Sequence, residues 1–498
     1  MIYTVVVVAY VCLLIGISLY KSRSVKTSDD FMIAGRNVPV HFLVATLVCT
    51  WIGSGSLFGT AGLTFRTGVS ELWFSAGAWI GIIVIYFLAA KVRKIAQYTL
   101  TDLLDKRYGR AARMLGTVTI IVAYMVIAGY QFKGGGRFVS ILTEGAVSPE
   151  TGMLIAACLI VGFTVLAGMV SVISIDIFNG LVMLIAMIIT LPFAISSHGG
   201  VDAVISTIQS HSPDHLSITG GHDALWMMGI ILPTFLLLVS ESSVYQKFAS
   251  AKDEHSAKKA VIGMFTGVVV IELLMMTIAL VGFAIYADDP RFFHMDGSIN
   301  RAMAEEIILR IGYEQLPAIV GALLLAAGVA IIISTGNTFL MVTSTNVTRD
   351  FFQLFFFKQA SSKQLVLIQR ASTVGIGVLA YIMMSQFETI LEMALISYTM
   401  IGASLAPVLI AAFFWKGVTR AGGVASIAAG MSTVVFVTVM NKVYEGATAS
   451  DGLLASWFPL STDYIAIPSV LVAVSTLVLV SLVTEPVPKE EWELFVES

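Results

Sequence analysis

Three hydroxyl residues of the segment 326–352 have the types and spacing to hold a small metal cation. In "AAGVAIIISTGNTFLMVTSTNVTRDFF", Ile331, Ser334, Thr335 and Thr338 follow the spacing i, i+3, i+4, i+7, which places them on one face of a helix. Hydroxyl and carbonyl oxygens are the ligands that hard cations prefer. The alternative is structural, because a hydroxyl in an apolar helix can donate to the carbonyl one turn earlier. Clustering on one face favours the cation site.

Ionisable side chains inside other apolar segments could bind a small organic molecule. The segment 129–142, "GYQFKGGGRFVSIL", carries Lys133 and Arg137 four residues apart and therefore on one helix face. Glu241 follows an apolar run in "LLLVSESSVYQKF". Charged groups in apolar surroundings are costly, which makes them candidates for function. For the two basic residues the alternative is that their long side chains reach a polar surface.

The composition indicates that membrane helices position these residues. The chain has 498 residues, of which 57% are hydrophobic and 12% charged, and its mean hydropathy is +0.89. Soluble domains carry about 25% charged residues. Runs of about 20 apolar residues recur, each long enough to cross a bilayer core, and they are too long and too uniform for barrel strands. The net charge of −3 argues against a nucleic-acid partner.

The apolar runs and the polar breaks between them predict an all-α polytopic membrane protein with thirteen transmembrane helices. The N-terminal run lacks the basic start and the cleavage site of a signal peptide, so it is taken as the first helix. The whole chain, 1–498, is predicted to form one transmembrane domain. The predicted spans are 2–20, 41–65, 70–90, 112–143, 152–170, 175–197, 223–248, 259–286, 315–347, 366–385, 390–415, 421–441 and 463–484.

The basic residues predict the orientation of the protein in the membrane. Most of them lie in segments that would share one side. The segments of the opposite side contain only Arg66, Arg291, Arg301, Arg310 and Lys442. Because cytoplasmic loops are enriched in Lys and Arg, we expect a multi-pass protein of the plasma (inner) membrane with its N-terminus outside and its C-terminus in the cytoplasm.

Two of the predicted helices contain residues that interrupt helices. Helix two includes "TWIGSGSLFGTAG", with Gly53, Gly55 and Gly59, and helix seven has Pro233 before the polar run 240–243. Glycine loosens a helix and proline removes a backbone hydrogen bond. Glycine is also common in ordinary, closely packed membrane helices, so the signal in helix two alone has a structural alternative.

The spacing of the two breaks divides the predicted domain into parts. The breaks lie five helices apart, as expected for two inverted five-helix repeats that each begin with a discontinuous helix. Unwound backbone at membrane depth is tolerated where it is buried or faces a polar cavity, so both breaks indicate a central binding site. The parts are an additional first helix at 1–20, repeat one at 41–197 (helices two to six), repeat two at 223–415 (helices seven to eleven) and the last two helices at 421–484.

Five stretches carry a resemblance to a known family. They are "DFMIAGRNVPVHFLVATLVCTWIGSGSLFGTAG", "TDLLDKRYG", "LAGMVSVISIDIFNGLVMLIAM", "VYQKFASAKDEHSAKKA" and "STGNTFLMVTSTNVTRDFF". Together they resemble the sodium:solute symporter family, which has the LeuT-type inverted-repeat fold, and the resemblance keeps its order from about residue 28 to residue 440. Within the family, "TWIGSGS" and "SVISIDIFNGLVMLIAMIITLPFAI" are most similar to the choline-transporter branch.

The resemblance implies a sodium site between helices two and nine. The two hydroxyl ligands of the family on helix nine fall on Ser334 and Thr335, and the carbonyl ligand of that helix falls on Ile331. The carbonyl ligands of helix two fall on Cys49 and Ile52. Na⁺ is therefore the expected coupling ion, and no other cofactor is expected.

The resemblance also raises a second sodium site, which some members of the family have. Its acidic residue on helix six and its hydroxyls on helix nine fall on Asp176, Asn337 and Thr338. Asn337 departs from the pattern, because it replaces a hydroxyl. Asp176 has an alternative role as the N-cap of helix six, and both roles remain open.

The predicted substrate site lies at the two breaks and on helix four. Trp51 matches an aromatic residue of the choline branch, and its ring could hold a cation or simply pack. Glu241 stands where choline-type relatives have an aromatic ring, which argues against a plain choline pocket. Glu241 with Trp51 would suit an ammonium group, and Lys133 with Gln131 and Tyr130 would suit a carboxylate. Further candidates are Arg137, Tyr245, Gln246 and Tyr398, whereas Glu272 is expected to face a neighbouring helix.

The predicted function is sodium-coupled import of a small polar organic solute, carboxylate-bearing or zwitterionic, by alternating access. Two alternatives remain: a solute-binding membrane sensor of the same fold that does not transport, and a symporter for a cationic choline-like solute. An enzyme is not expected, because the chain has no Ser-His-Asp order, HExxH or CxxC motif. The expected partners are the solute, Na⁺ and the lipid bilayer, without nucleic acid, and the protein is expected to be a monomer.

Overall fold

The described part of the chain is helical and contains no β-strand. The computed structural model describes residues 2–23, 31–32, 34–95, 99–356, 358–384, 387, 389–444, 457–458 and 460–496. The helices are α1 (Ile2–Ser22), α2 (Val40–Trp51), α3 (Ala61–Thr67), α4 (Leu72–Ile95), α5 (Leu100–Tyr108), α6 (Arg110–Leu142), α7 (Pro149–Ser197), α8 (Val201–His211), α9 (Ala224–Ser240), α10 (Ser242–Ser250), α11 (Glu254–Tyr286), α12 (Arg301–Ala304), α13 (Ile307–Arg310), α14 (Ala318–Asn346), α15 (Ser362–Met383), α16 (Ile390–Phe414), α17 (Arg420–Val443), α18 (Ala466–Val483) and α19 (Lys489–Val496).

The lengths and composition of these helices confirm the prediction of an all-α polytopic membrane protein. Among the described residues, 12 helical segments are long and apolar enough to cross a membrane, and Val40–Trp51 is a shorter apolar helix. One of the 12 segments, Gly55–Ile95, includes the end of predicted helix two and all of predicted helix three. The count of thirteen transmembrane helices therefore stays a prediction.

Both helices that were predicted to be discontinuous are broken. After α2, Ile52 has extended backbone (φ −76°, ψ 99°), and the chain continues through the π-helix Gly55–Thr60 into α3. After α9, Glu241 has nearly the same conformation (φ −69°, ψ 100°) before α10 begins. Similar breaks at corresponding positions are expected of two repeats. The repeat boundaries at 41–197 and 223–415 stay predictions.

Helices five and six are two membrane segments, Pro149–Leu166 and Gly168–Ser197, but the boundary predicted at residues 170–175 lies a few residues too late in the sequence. Helix α7 continues through this stretch, and its backbone departs from helical geometry only at Gly168 (φ 59°, ψ −160°). A Cβ at Gly168 would lie 2.7 Å from the ring of Phe31, so the bend also permits a close contact. Ser174 donates to the carbonyl of Val170 at 2.7 Å, which satisfies this polar side chain inside the helix instead of ending it.

Helix α14, which carries the predicted cation ligands, lies at the centre of the bundle. Every residue from Leu324 to Asn346 is buried. Helix α14 packs against α1, α6 and α7, and α2 packs against α7 and α11. A helix that is apolar all round and surrounded by protein places its few polar groups against other helices and not against lipid. Ser334 and Thr335 are therefore held against protein neighbours.

Contacts near the chain ends define the two sides of the bundle. Tyr3 of α1 donates to the carbonyl of Tyr313 at 3.4 Å, on what we call the N-terminal side. Lys91 of α4 donates to the carbonyls of Phe495 and Val496 at 3.2 and 3.1 Å, on the C-terminal side. Between α3 and α4 the chain reverses direction at Gly68, which has a φ of 65°.

The substitution Gly68→Ala is expected to destabilise the fold. A Cβ at Gly68 would lie 2.1 Å from the carbonyl oxygen of His215, and its φ disfavours any side chain. Backbone strain of this kind costs about 1–3 kcal/mol, so the melting temperature of the purified protein should fall by several degrees. The control Gly16→Ala adds a Cβ that meets nothing within 4 Å and should not lower the melting temperature. Equal melting temperatures for the two variants would contradict this geometry.

Candidate cation and solute site

The break in helix two turns two backbone carbonyls toward α14. The hydroxyl of Thr335 donates to the carbonyl oxygens of Cys49 at 3.1 Å and of Ile52 at 3.0 Å. Because α2 ends here, its last carbonyls lack the helical N–H groups that would otherwise satisfy them. The Thr335 hydroxyl and the two carbonyls thus bring three oxygen atoms close together. When the hydroxyl turns its proton away, these three oxygens can bind a hard cation.

Ser334 adds an oxygen whose orientation is fixed by Asp176. The Ser334 hydroxyl donates to Asp176 Oδ1, and the hydroxyl of Thr46 donates to Oδ2 at 2.5 Å. Because the proton of Ser334 points to the carboxylate, its lone pairs are available to a cation. Ile331 lies one turn earlier on α14 and is buried. The residues predicted to bind sodium therefore come from α14 and from the broken end of α2.

A buried lysine accompanies this carboxylate. Lys247, on α10 after the break of helix seven, is fully buried, and its ammonium donates to the carbonyl of Thr46 at 2.9 Å. Thr46 thereby links Lys247 to Asp176, and the two opposite charges attract each other. A buried ion needs such a partner. Lys247 is not among the predicted site residues, although its position inside predicted helix seven (223–248) signals a buried charge.

The residues predicted for a second sodium site are only partly brought together. Asp176 contacts Ser334, but the side-chain oxygen of Asn337 accepts a hydrogen bond from Thr164 of α7 at 3.1 Å. The hydroxyl of Thr338 has no hydrogen-bond partner in the described part of the chain. The second sodium site stays a prediction. Asp176 lies inside α7 and not at the first residue of a helix, so its alternative role as an N-cap is wrong.

A small cavity lies between the two helix breaks. Its lining includes Trp51 from the first break and Glu241 from the second, together with Tyr130, Tyr398 and Thr335. The space admits about one water molecule, so a solute needs the surrounding helices to move apart. Thr335 lines this cavity and also contacts the freed carbonyls. The candidate cation site and the candidate solute site therefore share a wall.

Glu241 carries an oxygen that no described protein group satisfies. Its Oε1 accepts hydrogen bonds from the hydroxyls of Tyr124 and Ser243, whereas Oε2 has no hydrogen-bond partner among the described residues. The residue is only 1% exposed. A carboxylate buried to this extent is costly unless a cation or a donor completes its contacts. Tyr124 is a partner that the sequence does not distinguish from the packing residues around it.

Glu272 holds Trp51 in place. The indole N–H of Trp51 donates to Glu272 Oε1 at 2.8 Å, and that of Trp79 donates to Oε2 at 2.6 Å. The ring centroids of Trp51 and Tyr398 are 6.4 Å apart. Glu272 of α11 therefore contacts neighbouring helices and also orients a ring of the cavity wall. The sequence signal for this role is that buried tryptophans need acceptors.

Helix α6, the predicted helix four, supports the break of helix two through Gln131. Its Oε1 accepts from the backbone N–H of Ser54 at 3.0 Å. Its Nε2 lies against Gly53 and has no hydrogen-bond partner within the described ranges. The ammonium of Lys133 instead donates to the carbonyl of Phe387. Gln131 and Lys133 have different partners and neither lines the cavity, so the structure does not bring together the predicted carboxylate-binding group of Lys133, Gln131 and Tyr130.

Arg137 and Tyr245 also have partners away from the cavity lining. Arg137 forms an ion pair with Glu305 at 2.5 Å on the N-terminal side of the bundle. The hydroxyl of Tyr245 donates to the carbonyl of Val239 at 2.6 Å, which ties the two halves of the broken helix seven together. The geometry assigns both residues to the scaffold around the site.

Comparison with known sequences identifies relatives along most of the chain. A sequence model of the sodium:solute symporter family matches residues 31–430. The osmoregulated proline transporter OpuE of Bacillus subtilis (strain 168) is 26% identical, over 97% of this chain and 94% of the relative. The sodium/proline symporter of Escherichia coli (strain K12) is 25% identical, over 86% of this chain and 86% of the relative.

Comparison with solved structures shows the same fold at lower identity. A Na⁺-coupled sialic acid symporter in a substrate-bound outward-open state has a TM-score of 0.79 at 14% identity, and the match covers 98% of both chains. Mhp1, a nucleobase-cation-symport-1 family transporter, has a TM-score of 0.56 in a closed conformation, at 13% identity over 93% of this chain and 97% of that one. These similarities show the LeuT-type fold.

The substitution Thr335→Val is expected to weaken Na⁺ binding about tenfold or more. Valine keeps the shape of threonine but lacks the hydroxyl oxygen. A polar contact with a charged group contributes about 1.5–3 kcal/mol to binding, by analogy with hydrogen bonds to charged groups. The measurement is the melting temperature of the purified protein as NaCl replaces KCl at constant ionic strength. In the matched control Thr343→Val, the lost hydroxyl donates to the carbonyl of Phe339 on the same helix, and Na⁺ dependence should persist. An unchanged Na⁺ dependence in Thr335→Val would place the ion elsewhere.

Proposed function

Because this chain belongs to the sodium:solute symporter family, we propose that it imports a small zwitterionic solute driven by Na⁺. Membership makes the protein a membrane transporter and not an enzyme, and it makes Na⁺ the coupling ion. The proposal about the solute rests on Glu241. This residue lines the central cavity, and one of its carboxylate oxygens has no hydrogen-bond partner among the described residues.

The ammonium end of the solute would contact Glu241 and the aromatic walls. Glu241 Oε2 is an acceptor that lacks a donor among the described residues. Trp51, Tyr130 and Tyr398 line the same cavity, and aromatic faces attract cations. An ammonium group satisfies the carboxylate and packs against the rings at the same time. Glu272 supports this arrangement by holding the indole of Trp51.

The carboxylate end of the solute would lie at the break of helix two. The Nε2 of Gln131 offers a donor without a described partner beside Gly53, which lines the cavity. The hydroxyls of Tyr130 and Tyr398, 3.1 Å apart, offer further donors. Na⁺ at Thr335 would add positive charge next to the carboxylate. Each ligand would then strengthen the binding of the other, as linkage requires.

L-proline is the first solute to test. It carries both charged groups in a small molecule, and the relatives named above are a proline transporter and a sodium/proline symporter. A cationic choline-like solute is the second candidate, because four aromatic residues line the same cavity as Glu241. A sensor of the same fold would bind its solute without accumulating it.

Alternating access would use a closure on the N-terminal side of the bundle. The carboxylate of Glu305 accepts from Arg137 and from the backbone N–H groups of Ile390 and Leu391 at 3.0 and 2.8 Å, at the start of α16. We place this side outside the plasma membrane, on the distribution of basic residues. Opening of the closure would admit Na⁺ and solute, and its return would precede release into the cytoplasm.

Concentrative uptake into proteoliposomes tests the proposal. An inward Na⁺ gradient should accumulate radiolabelled L-proline above its outside concentration, and an inward K⁺ gradient should not. Accumulation of choline without proline would select the second candidate. Sodium-dependent binding of either solute without accumulation would identify a sensor. Solute binding that is equal in NaCl and KCl would contradict sodium coupling altogether.

The substitution Glu241→Gln is expected to raise the solute concentration for half-maximal uptake about tenfold or more, because a buried charged contact contributes about 1.5–3 kcal/mol. Stabilisation of the protein by NaCl should remain. The matched control is Glu71→Gln: Glu71 is also buried, has one oxygen without a described partner, and lies outside the cavity lining. Equal effects of the two substitutions would contradict a role of Glu241 in solute binding.

The substitution Glu305→Gln is expected to open the N-terminal side by weakening the contact with Arg137. In a variant without native cysteines, Thr50→Cys places a thiol in the central cavity. Its reaction with a membrane-impermeant maleimide added outside should accelerate about tenfold, since one charge-assisted contact is lost. The control Glu306→Gln removes only the neighbouring ion pair with Arg310 at 2.7 Å. Equal reaction rates in the two variants would show that Glu305 does not hold the closure.

A further inference from the structure

A second cavity, mostly polar, lies on the N-terminal side and is separate from the central cavity. Arg66 of α3 and Arg301 at the start of α12 line it, with the carboxylates of Glu305, Glu392 and Asp463. No described residue lines both cavities. Arg301 is exposed at its rim. We call this cavity the antechamber, because Glu305 of the closure and the exposed Arg301 both line it.

The two arginines are the unusual feature of this antechamber. No hydrogen bond or ion pair joins the guanidinium of Arg66 or of Arg301 to any described residue, although both residues line the cavity. They lie close enough to repel each other. A guanidinium always carries its charge and offers five donors in a fork that matches the two oxygens of a carboxylate. A pair of guanidiniums on one cavity wall without partners thus selects for an anionic group.

The acidic residues of the antechamber do not satisfy the arginines by direct contact. The oxygens of Glu305 accept from Arg137 and from two backbone N–H groups of α16. Asp463 Oδ2 accepts from the indole of Trp226 at 3.2 Å. Glu305 and Asp463 attract Arg66 from a distance. The antechamber therefore has donors without acceptors and, in the same lining, carboxylates that favour a positive group.

We propose that Arg66 and Arg301 form a capture site for the carboxylate group of the solute. The carboxylate accepts from both guanidiniums and screens their repulsion, while the ammonium group of a zwitterion faces Glu392 and Asp463. The role of this site in transport rests on the proposed function. Its preference for carboxylates rests only on the two arginines.

Saturation-transfer NMR with sodium acetate tests the capture site on the full chain in lipid nanodiscs. The wild type should transfer saturation to the methyl group of acetate. The double variant Arg66→Gln/Arg301→Gln should lower this signal about tenfold, because both charged donors are lost. The variant Arg66→Lys/Arg301→Lys keeps the charges without the forks and should give an intermediate signal. The control Arg291→Gln, whose native partners are Asp289 and Glu314, should keep the full signal.

Competing ions identify what the site recognises. Methylammonium should give no arginine-dependent signal, and NaCl should displace acetate only at concentrations about tenfold above that of acetate, since chloride cannot use paired donors. An acetate signal that survives in the glutamine double variant would overturn the proposal. Displacement of acetate by an equal concentration of chloride would also overturn it, because the arginines would then form a general anion site. If the glutamine variant does not fold, an acetate signal in the folded lysine variant equal to that of the wild type would overturn it.

A transport measurement separates failure of this site from failure of the proposed function. The glutamine double variant should raise the proline concentration for half-maximal uptake about threefold, with the maximal rate and Na⁺ dependence unchanged, since the central site is intact. Arginine-dependent acetate binding in a protein that does not carry proline would retain the carboxylate site and reject only the solute. Sodium-driven proline uptake with no arginine-dependent acetate binding would reject only the capture site.

Discussion

The contact between the Thr335 hydroxyl and the carbonyls of Cys49 and Ile52 is the constraint on which the rest of the structure depends. A helix broken at membrane depth leaves backbone groups without partners, and no water is present in the bilayer core to satisfy them. Helix α14 supplies a hydroxyl at the position where α2 ends. The same oxygens can satisfy a sodium ion, so the geometry of the break and the occupancy of the candidate ion site would be physically linked.

This link extends to the second broken helix through buried charges. Asp176 accepts the proton of Ser334 and so orients its hydroxyl, and Thr46 joins Asp176 to Lys247 of α10, which follows the break of helix seven. Glu241, at the break itself, lines the same cavity as Thr335, and one of its carboxylate oxygens has no hydrogen-bond partner among the described residues. A change at the candidate ion site therefore reaches both broken helices through short, buried contacts. Such contiguous contacts are the physical basis on which ion and solute binding can be coupled.

The features predicted from the sequence are those that depend on local patterns. Apolar length predicts the membrane helices, glycine and proline with nearby polar residues predict both breaks, and i, i+3, i+4 spacing places Ser334 and Thr335 on one face. The sequence misplaces the bend near Gly168, because the polar residues that follow it are satisfied inside α7. The partners of Lys133 and Lys247 could not be predicted, because each lysine donates to a backbone carbonyl of a segment that is distant in the sequence.

A cryo-EM map of the protein in NaCl, compared with a map in choline chloride, tests the central claim most directly. The account predicts a density peak, present only in NaCl, between the end of α2 and α14, in contact with oxygens of Thr335, Ser334, Cys49 and Ile52. It also predicts that helix two is interrupted at Ile52 in both maps. A sodium-dependent peak away from these oxygens, or a helix two that runs unbroken past Trp51, would contradict the account.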